Sequence, residues 1–297
     1  MESTPPVIQT VGLKKSFGST DVLKGVDLTI PHGATVGLIG TNGAGKSTLL
    51  KCLLGLLRIS EGSAIVYGED PWNLSAATKA HMGYVPQVVK FYPWMDVKHM
   101  VEYTAAHYDN WDFASSDQML KDFDLKTTDK VQVLSTGQQQ RLGLVLAMGH
   151  HPDLLILDEP AASLDPSGRR TLLKSLLEHS QSEHQTALFS THITSDLERV
   201  ASHVAILRNG VVDYFGELED LKDSVKRLRI SSSTSLPPSF AVPAALRSEI
   251  HETSALVTVA TASDDMISKL EQDWKVQVDV EDLNLEDIFL ELHDEER

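Results

Sequence analysis

The chain has 297 residues, enough for one main domain plus an extension, and a chain of this size can bury a large core. Its 26 basic and 42 acidic residues give a formal net charge of -16. That excludes the basic surface by which proteins displace counterions from nucleic acid, and suits it poorly to rest unaided on an anionic membrane. The single cysteine, Cys52, excludes a disulfide framework and any cysteine-based zinc site within one chain.

In chain order, Met1–Thr10 has neither the basic start nor the apolar core of a leader, so none is expected. Val7–Gly33 predicts two strands and a turn, with Val22, Val26, Leu28 and Ile30 as apolar positions and Pro31-His32-Gly33 as the stop. Ala34–Ile39 is a short apolar run ending at Gly40, as in a buried strand of a mixed or parallel sheet. Thr48–Leu57 predicts a helix; Cys52, among Leu49, Leu50, Leu53 and Leu54, is expected to pack in the core. Strands are predicted at Ala64–Tyr67 and Met82–Val85. Val97–Phe123 reads as mostly helical with a break near Asn110-Trp111-Asp112.

Further on, helix Gln138–Gly149, strand Leu154–Leu157, helix Arg169–His179 and strands Thr186–Ser190 and Val204–Leu207 follow. Strands alternating with helices indicate an α/β domain with a largely parallel sheet. The organisation changes after about Gly216. Ser231–Ser235 and Pro237-Pro238 suggest a linker or loop. Strands Ala255–Ala260 and Lys275–Val280 and helices Asp264–Leu270 and Leu285–Leu292 then make a small α+β appendix, and Glu291–Arg297 a solvated acidic end. The Leu285–Leu292 helix carries Leu285, Ile288, Phe289 and Leu292 on one face and is expected to pack against the main domain. No apolar run approaches the roughly 20 residues that cross a bilayer, so work at a membrane needs another chain to span it.

Three segments carry chemistry. Gly40-Thr41-Asn42-Gly43-Ala44-Gly45-Lys46-Ser47 fits the phosphate-loop pattern between a predicted strand and a predicted helix. Its glycines let backbone N–H groups converge on phosphate oxygens, and the helix N-terminus adds a favourable dipole. Lys46 is expected to reach the β- and γ-phosphates and Ser47 to ligate Mg2+. Leu154–Leu157 runs into Asp158-Glu159, which places two carboxylates at the carboxyl edge of the sheet beside that loop. Asp158 suits the magnesium, through water, and Glu159 the base that orients the attacking water. Leu134-Ser135-Thr136-Gly137-Gln138 precedes a helix; the same residues serve as an ordinary cap or present a hydroxyl and free N–H groups to an anion.

Taken in order, the phosphate loop, Tyr84-Val85-Pro86-Gln87, Leu134–Gln138, Leu154–Glu159, Ser163-Leu164-Asp165 and Thr191-His192 resemble the motif series of ATP-binding cassette (ABC) ATPases, over about residues 7–216. The resemblance implies an α/β P-loop NTPase cassette: a mixed, mainly parallel core sheet, an antiparallel β subdomain and a helical subdomain at about 88–150, all within 1–218. Residues 219–297 would form a small C-terminal α+β accessory extension. It implies ATP and Mg2+ as cofactors, with residues 40–47 and Thr48 around the phosphates and Phe17 stacked on adenine. Gln87 would join the magnesium shell and couple it to the helical subdomain. Ser135, Gly137 and Gln138 would contact the γ-phosphate held by a second ATPase subunit, Asp165 would lie at the subunit interface, and His192 would contact the γ-phosphate. Thr136 and Ser163 depart from the commonest family form, which has glycine at both positions; Ser135 and Gly137 are retained.

By the same resemblance the chain is the ATP-hydrolysing subunit of a transporter, peripheral on the cytoplasmic side of the membrane. Its partners would be an integral membrane permease and a second copy of itself, with no nucleic acid. Phe91-Tyr92-Pro93-Trp94-Met95 would face the permease. That stretch and Leu285–Leu292 look like those of bacterial exporter-type cassettes of antibiotic and antimicrobial-peptide efflux. A soluble cassette ATPase acting on ribosomes or DNA is the first rival, but one cassette, no heptad run and an acidic charge speak against it. A non-catalytic ATP sensor is the second, opposed by the presence of Glu159 and His192.

Overall fold

The computed structural model describes residues 5–180 and 184–293, and the chain divides into two compact units, Met1–Phe215 and Gly216–Arg297. The first unit opens with β1 (Ile8–Phe17), β2 (Thr20–Ile30) and β3 (Thr35–Ile39), then α1 (Lys46–Leu53), β4 (Glu61–Val66), α2 (Ala76–Ala80) and β5 (Met82–Val85). Helices α3 (Val97–Ala105), α4 (Phe113–Asp122) and α5 (Thr136–Met148) follow. The unit closes with β6 (Leu154–Leu157), α6 (Pro166–His179), β7 (Thr186–Ser190), α7 (Thr194–Val200), β8 (His203–Arg208) and β9 (Val211–Glu217).

Six strands in the order β5-β6-β7-β3-β8-β9 make the central sheet, with parallel pairing from β5 through β8. Every residue of β3, β6 and β7 is buried, the pattern of strands covered on both faces, and it explains their unbroken apolar runs. The two-residue turn Asn209-Gly210, with φ of 50° and 85°, links β8 to β9. An antiparallel sheet, β2-β1-β4, stands beside it; its buried Ile8, Leu13, Leu23, Val26 and Ile30 share a core with Leu38, Leu49, Leu50 and Cys52. The fold is thus the expected one: a mainly parallel core sheet, an antiparallel β sheet and a helical region formed by α3–α5.

Helix starts are set by side-chain caps. Asp96, Asp112 and Asp165 accept the N–H groups of His99, Ser115 and Gly168 at the heads of α3, α4 and α6. These caps explain why α6 begins at Pro166 rather than at the expected Arg169. Helix α1 runs from Lys46 to Leu53, not Thr48 to Leu57, because the phosphate loop turns straight into the helix and Gly55, at φ 67°, ends it. Helix α7 and strand β9 had no prediction: α7 is only seven residues long, and β9 is half-exposed along its length.

The second unit holds α8 (Leu218–Ser224), β10 (Lys226–Ser232), β11 (Ala245–Ile250), β12 (Ser254–Val259), α9 (Asp264–Trp274), β13 (Val276–Asp282) and α10 (Leu285–His293). Its antiparallel sheet, β11-β12-β10-β13, packs Leu228, Ile230, Val257 and Val259 with Phe240 and Leu270 into a core of its own. Ser231 and Ser232, expected in a linker, are paired in β10 opposite Gln277 and Val276. Helix α10 has contacts with β11, and its Leu285 and Ile288 are buried. Glu291, expected to be solvated, is buried and accepts a hydrogen bond from Arg227 at 2.8 Å; the rest of the acidic end, 294–297, lies outside the described residues.

Candidate nucleotide site

The carboxyl edge of the central sheet carries the site. Between β3 and α1 the loop 40–45 turns sharply, with Gly43 at φ 86° and Gly45 at φ 108°. Only glycine reaches that second conformation without strain, and a Cβ at Gly45 would lie 2.7 Å from Leu23 Cδ2. A Cβ at Gly40 would strike the Leu207 carbonyl. The loop walls a cavity of about 540 Å³, lined by Val22, Asn42, Gly43, Gly45, Lys46, Ser47, Thr48, Gln87 and Glu159.

Lys46 is buried in the cavity wall, where its Nζ donates to Gly40 O at 2.8 Å and lies 3.7 Å from Glu159 Oε1. Ser47 Oγ donates to Asp158 Oδ1 at 2.9 Å. Asp158 and Glu159 follow directly on β6, as the sequence indicated, and both are buried. Glu159 takes φ 49°, unusual for a side chain of its size. His192 Nδ1 lies 2.7 Å from Glu159 Oε2, so Glu159 sits between an imidazole and an ammonium. Tyr84, on β5, has its phenol pushed up to about 12, first by burial and then by the charge of Asp158.

Nucleotide and metal can be tested against these groups. The loop leaves room at Gly43, where an added Cβ would meet nothing within 4 Å, and it offers a buried lysine at a helix N-terminus, a fit to polyphosphate. The Ser47 hydroxyl, the Asp158 carboxylate and the Gln87 amide are oxygen donors, a set that suits a hard divalent cation.

Other expected residues stand elsewhere. Ser135 caps α5: its Oγ accepts Gln138 N–H at 3.2 Å, while Gln138 Oε1 accepts Ser135 N–H at 3.0 Å. Ser135 and Thr136 are exposed, and neither they nor Gly137 and Gln138 line the cavity. Gly137 packs close to the segment before α6, where an added Cβ would sit 2.7 Å from Ser163 O. Asp165 is held below the usual carboxylate range by Gly168 N–H and then by Arg141, with which it pairs. Phe17 is exposed at the end of β1, with Lys15 Nζ 4.8 Å from its ring centre, and does not line the cavity.

Two groups escaped the sequence. Arg141, midway along α5, pairs with Asp165, a pairing across 24 residues that no local pattern shows. Ser190 ends β7 fully buried and bonds both acids of the site. Its position just before Thr191-His192, at the carboxyl end of a central strand, was the available signal.

Comparison with known proteins gives the family. A family model described as ABC transporter matches residues 23–162. The ABC transporter ATP-binding protein YxlF of Bacillus subtilis (strain 168) is 35% identical over 216 residues, covering 71% of this chain and 70% of YxlF. The bacitracin transport ATP-binding protein BcrA of Bacillus licheniformis is 30% identical over 206 residues, covering 69% of this chain and 67% of BcrA. Among solved structures, an ATP-binding subunit of an ABC transporter matches with a TM-score of 0.66 at 28% identity, covering 73% of this chain and 92% of that one. The chain belongs to the ATP-binding proteins of ABC transporters, a family of transport ATPases.

Proposed function

We propose that this protein hydrolyses Mg-ATP in a site completed by a second copy of itself and thereby drives a separate membrane permease, in the direction of export. One observation carries the dimeric part. Lys46, Gln87 and Glu159 wall a cavity that Ser135, Gly137 and Gln138 do not line, although all belong to one motif series. The exposed head of α5 is therefore free to face the nucleotide of another subunit. We assign nucleotide binding to 1–218, with the helical subdomain at about 88–150, and an accessory role to 219–297.

In this mechanism the N–H groups of 43–47 and Lys46 hold the phosphates and orient the γ-phosphoryl group. Glu159 Oε1 and Oε2 are the nearest base for a water attacking in line, and His192 fixes that carboxylate from the side facing solvent. Ser47, Gln87 and, by way of water, Asp158 would hold the magnesium, which would supply charge neutralisation at the phosphates. Phe17 offers an exposed ring to the adenine.

The family and the aromatic surface of the helical region support a permease partner at the cytoplasmic face of the membrane. Tyr92, Trp94 and Tyr103 form an exposed ladder, with ring centres 5.1 and 5.5 Å apart along it. It suits the cytoplasmic helix of a partner. No described helix is long and apolar enough to cross a membrane itself. Export rests on the likeness of the segment from Phe91 and of Leu285–Leu292 to exporter-type cassettes.

The test is Glu159→Gln. This variant should bind Mg-ATP, accumulate as a dimer by light scattering, and turn over at least about a hundredfold more slowly than the parent. Parental turnover would sink the assignment of the base. A Glu159→Gln chain that stays monomeric with saturating Mg-ATP would sink the shared site.

A further inference from the structure

We propose that Ser190 is a positioning residue for hydrolysis: its hydroxyl holds Asp158 and Glu159 in their working geometry. This inference rests on the hydrolytic assignment above. Ser190 is the last residue of β7, and it is fully buried. Its Oγ accepts the backbone N–H of Glu159 at 2.8 Å and donates to Asp158 Oδ1 at 2.9 Å. One hydroxyl thus ties a main-chain group of the base to the carboxylate beside it, using its only proton.

The register shows why a side chain is needed here. Strand β6 pairs in parallel with β7 as far as Leu157 opposite Phe189. Beyond that pair the backbones separate: Asp158 N–H turns to Val85 O on β5, and Thr191 N–H turns to Leu38 O on β3. Glu159 N–H, buried with its residue, is left without a ladder partner, and the Ser190 hydroxyl takes it. Glu159 sits there at φ 49°, a conformation that a residue other than glycine keeps only when its surroundings hold it. That backbone angle aims the side chain at Lys46 and His192.

The second bond matters for the metal. Asp158 Oδ1 accepts from both Ser47 and Ser190. Ser47 would offer a lone pair to a cation and keep its proton for Asp158, so Ser190 is the donor to that carboxylate oxygen that would have no duty toward the metal, and it holds the carboxylate in place from the β7 side. Loss of the hydroxyl should therefore lower kcat and raise the magnesium requirement, while the phosphate loop and its grip on ATP stay intact.

Threonine and valine have nearly the same shape and differ here by the hydroxyl alone. In this chain, Ser190→Thr should keep kcat within about threefold of the parent, while Ser190→Val should lose roughly tenfold or more. KM for ATP should move little in either. The Mg2+ concentration for half-maximal turnover should rise in Ser190→Val only. Hydrogen exchange at the Glu159 amide should be slow in the parent and in Ser190→Thr and fast in Ser190→Val. Equal kcat and equal magnesium dependence in the two variants would overturn the proposal, whatever the amide does. A parent chain that binds ATP without turnover would overturn the hydrolytic assignment instead. The Glu159 amide would then still decide whether Ser190 holds that backbone, and equal exchange in the two variants would overturn that as well.

Discussion

At Gly45 one missing carbon sets the path of the phosphate loop. The residue stands at φ 108°, and a Cβ would press on Leu23, a fully buried part of the core shared by both sheets. Gly45→Ala should fold, because the collision involves the end of a side chain, but its loop must shift. ATP affinity should fall by at least about tenfold, or ~1.4 kcal/mol, by titration with a fluorescent nucleotide. Gly43 makes the contrast: an added Cβ there meets nothing, so a change at that position acts through backbone angle and phosphate space alone. Lys46, Ser47, Asp158, Glu159 and His192 were all legible as a group from their motifs. The 3.7 Å approach of Lys46 to Glu159 was not, because it depends on how β3 and β6 are placed across β7.

Among the elements, α5 has a designed start and a sensitive end. Its head is a reciprocal cap, so Gln138→Ala removes one of two bonds. That should cost about 0.5–1 kcal/mol in urea unfolding. Thr136, the departure from the commonest motif, is exposed within the first turn, where a β-branched residue is tolerated. Gly137 is the position that cannot grow, since Ser163 O stands where its Cβ would go. The second departure is thus in contact with the motif of the first.

Beyond the end of α5, His150 is fully buried and stacked on Tyr108 with ring centres 3.9 Å apart, and its Nδ1 has no partner. Burial pushes its pKa down to about 4, against the pull of the Met82 carbonyl; His151 and His81 push it the same way and Asp153 opposes them. The folded state therefore binds fewer protons than the unfolded state between about 6.5 and 4, and stability falls as pH drops through that window. The fall attributable to His150 should reach at most about 3 kcal/mol. His150→Phe should flatten that part of the curve of urea midpoint against pH; an unchanged slope would assign the loss to other groups.

For the whole molecule, the composite site makes a prediction that no single chain can meet. Lys46→Ala lacks the phosphate lysine, and Ser135→Arg blocks the face offered to a partner's nucleotide. Each alone should be inactive. Mixed together they should form dimers in which one site has an intact lysine from one chain and an intact α5 head from the other. Turnover should reappear on mixing, and its absence would mean that each subunit hydrolyses on its own. The two compact units divide this work unequally. Every residue of the site lies in the first unit, and the second has a separate core around Leu228, Ile230 and Val257.

Motif order, fully apolar strands and glycine spacing were enough, from the sequence alone, to specify a P-loop fold, its phosphate loop and the two acids beside it. These features depend on neighbours along the chain: a strand, a sharp turn and a helix between Thr35 and Leu53. The sequence also carried most helices and strands of the first unit, because its central strands are buried on both faces and read as unbroken apolar runs. It did not show β9 or β11, whose exposed or mixed side chains carry little period, nor β10, whose alternation Leu228-Arg229-Ile230 is short and runs into the serine tract, nor the ion pair of Glu291 with Arg227. Only the tertiary structure decided how the motifs are grouped. It put Lys46, Gln87 and Glu159 around one cavity and left Ser135 outside it, and it brought Ser190 onto both acids. The physical reason is that a parallel sheet joins residues far apart in sequence at its carboxyl edge, and there the backbones diverge, so side chains must satisfy what the ladder no longer can.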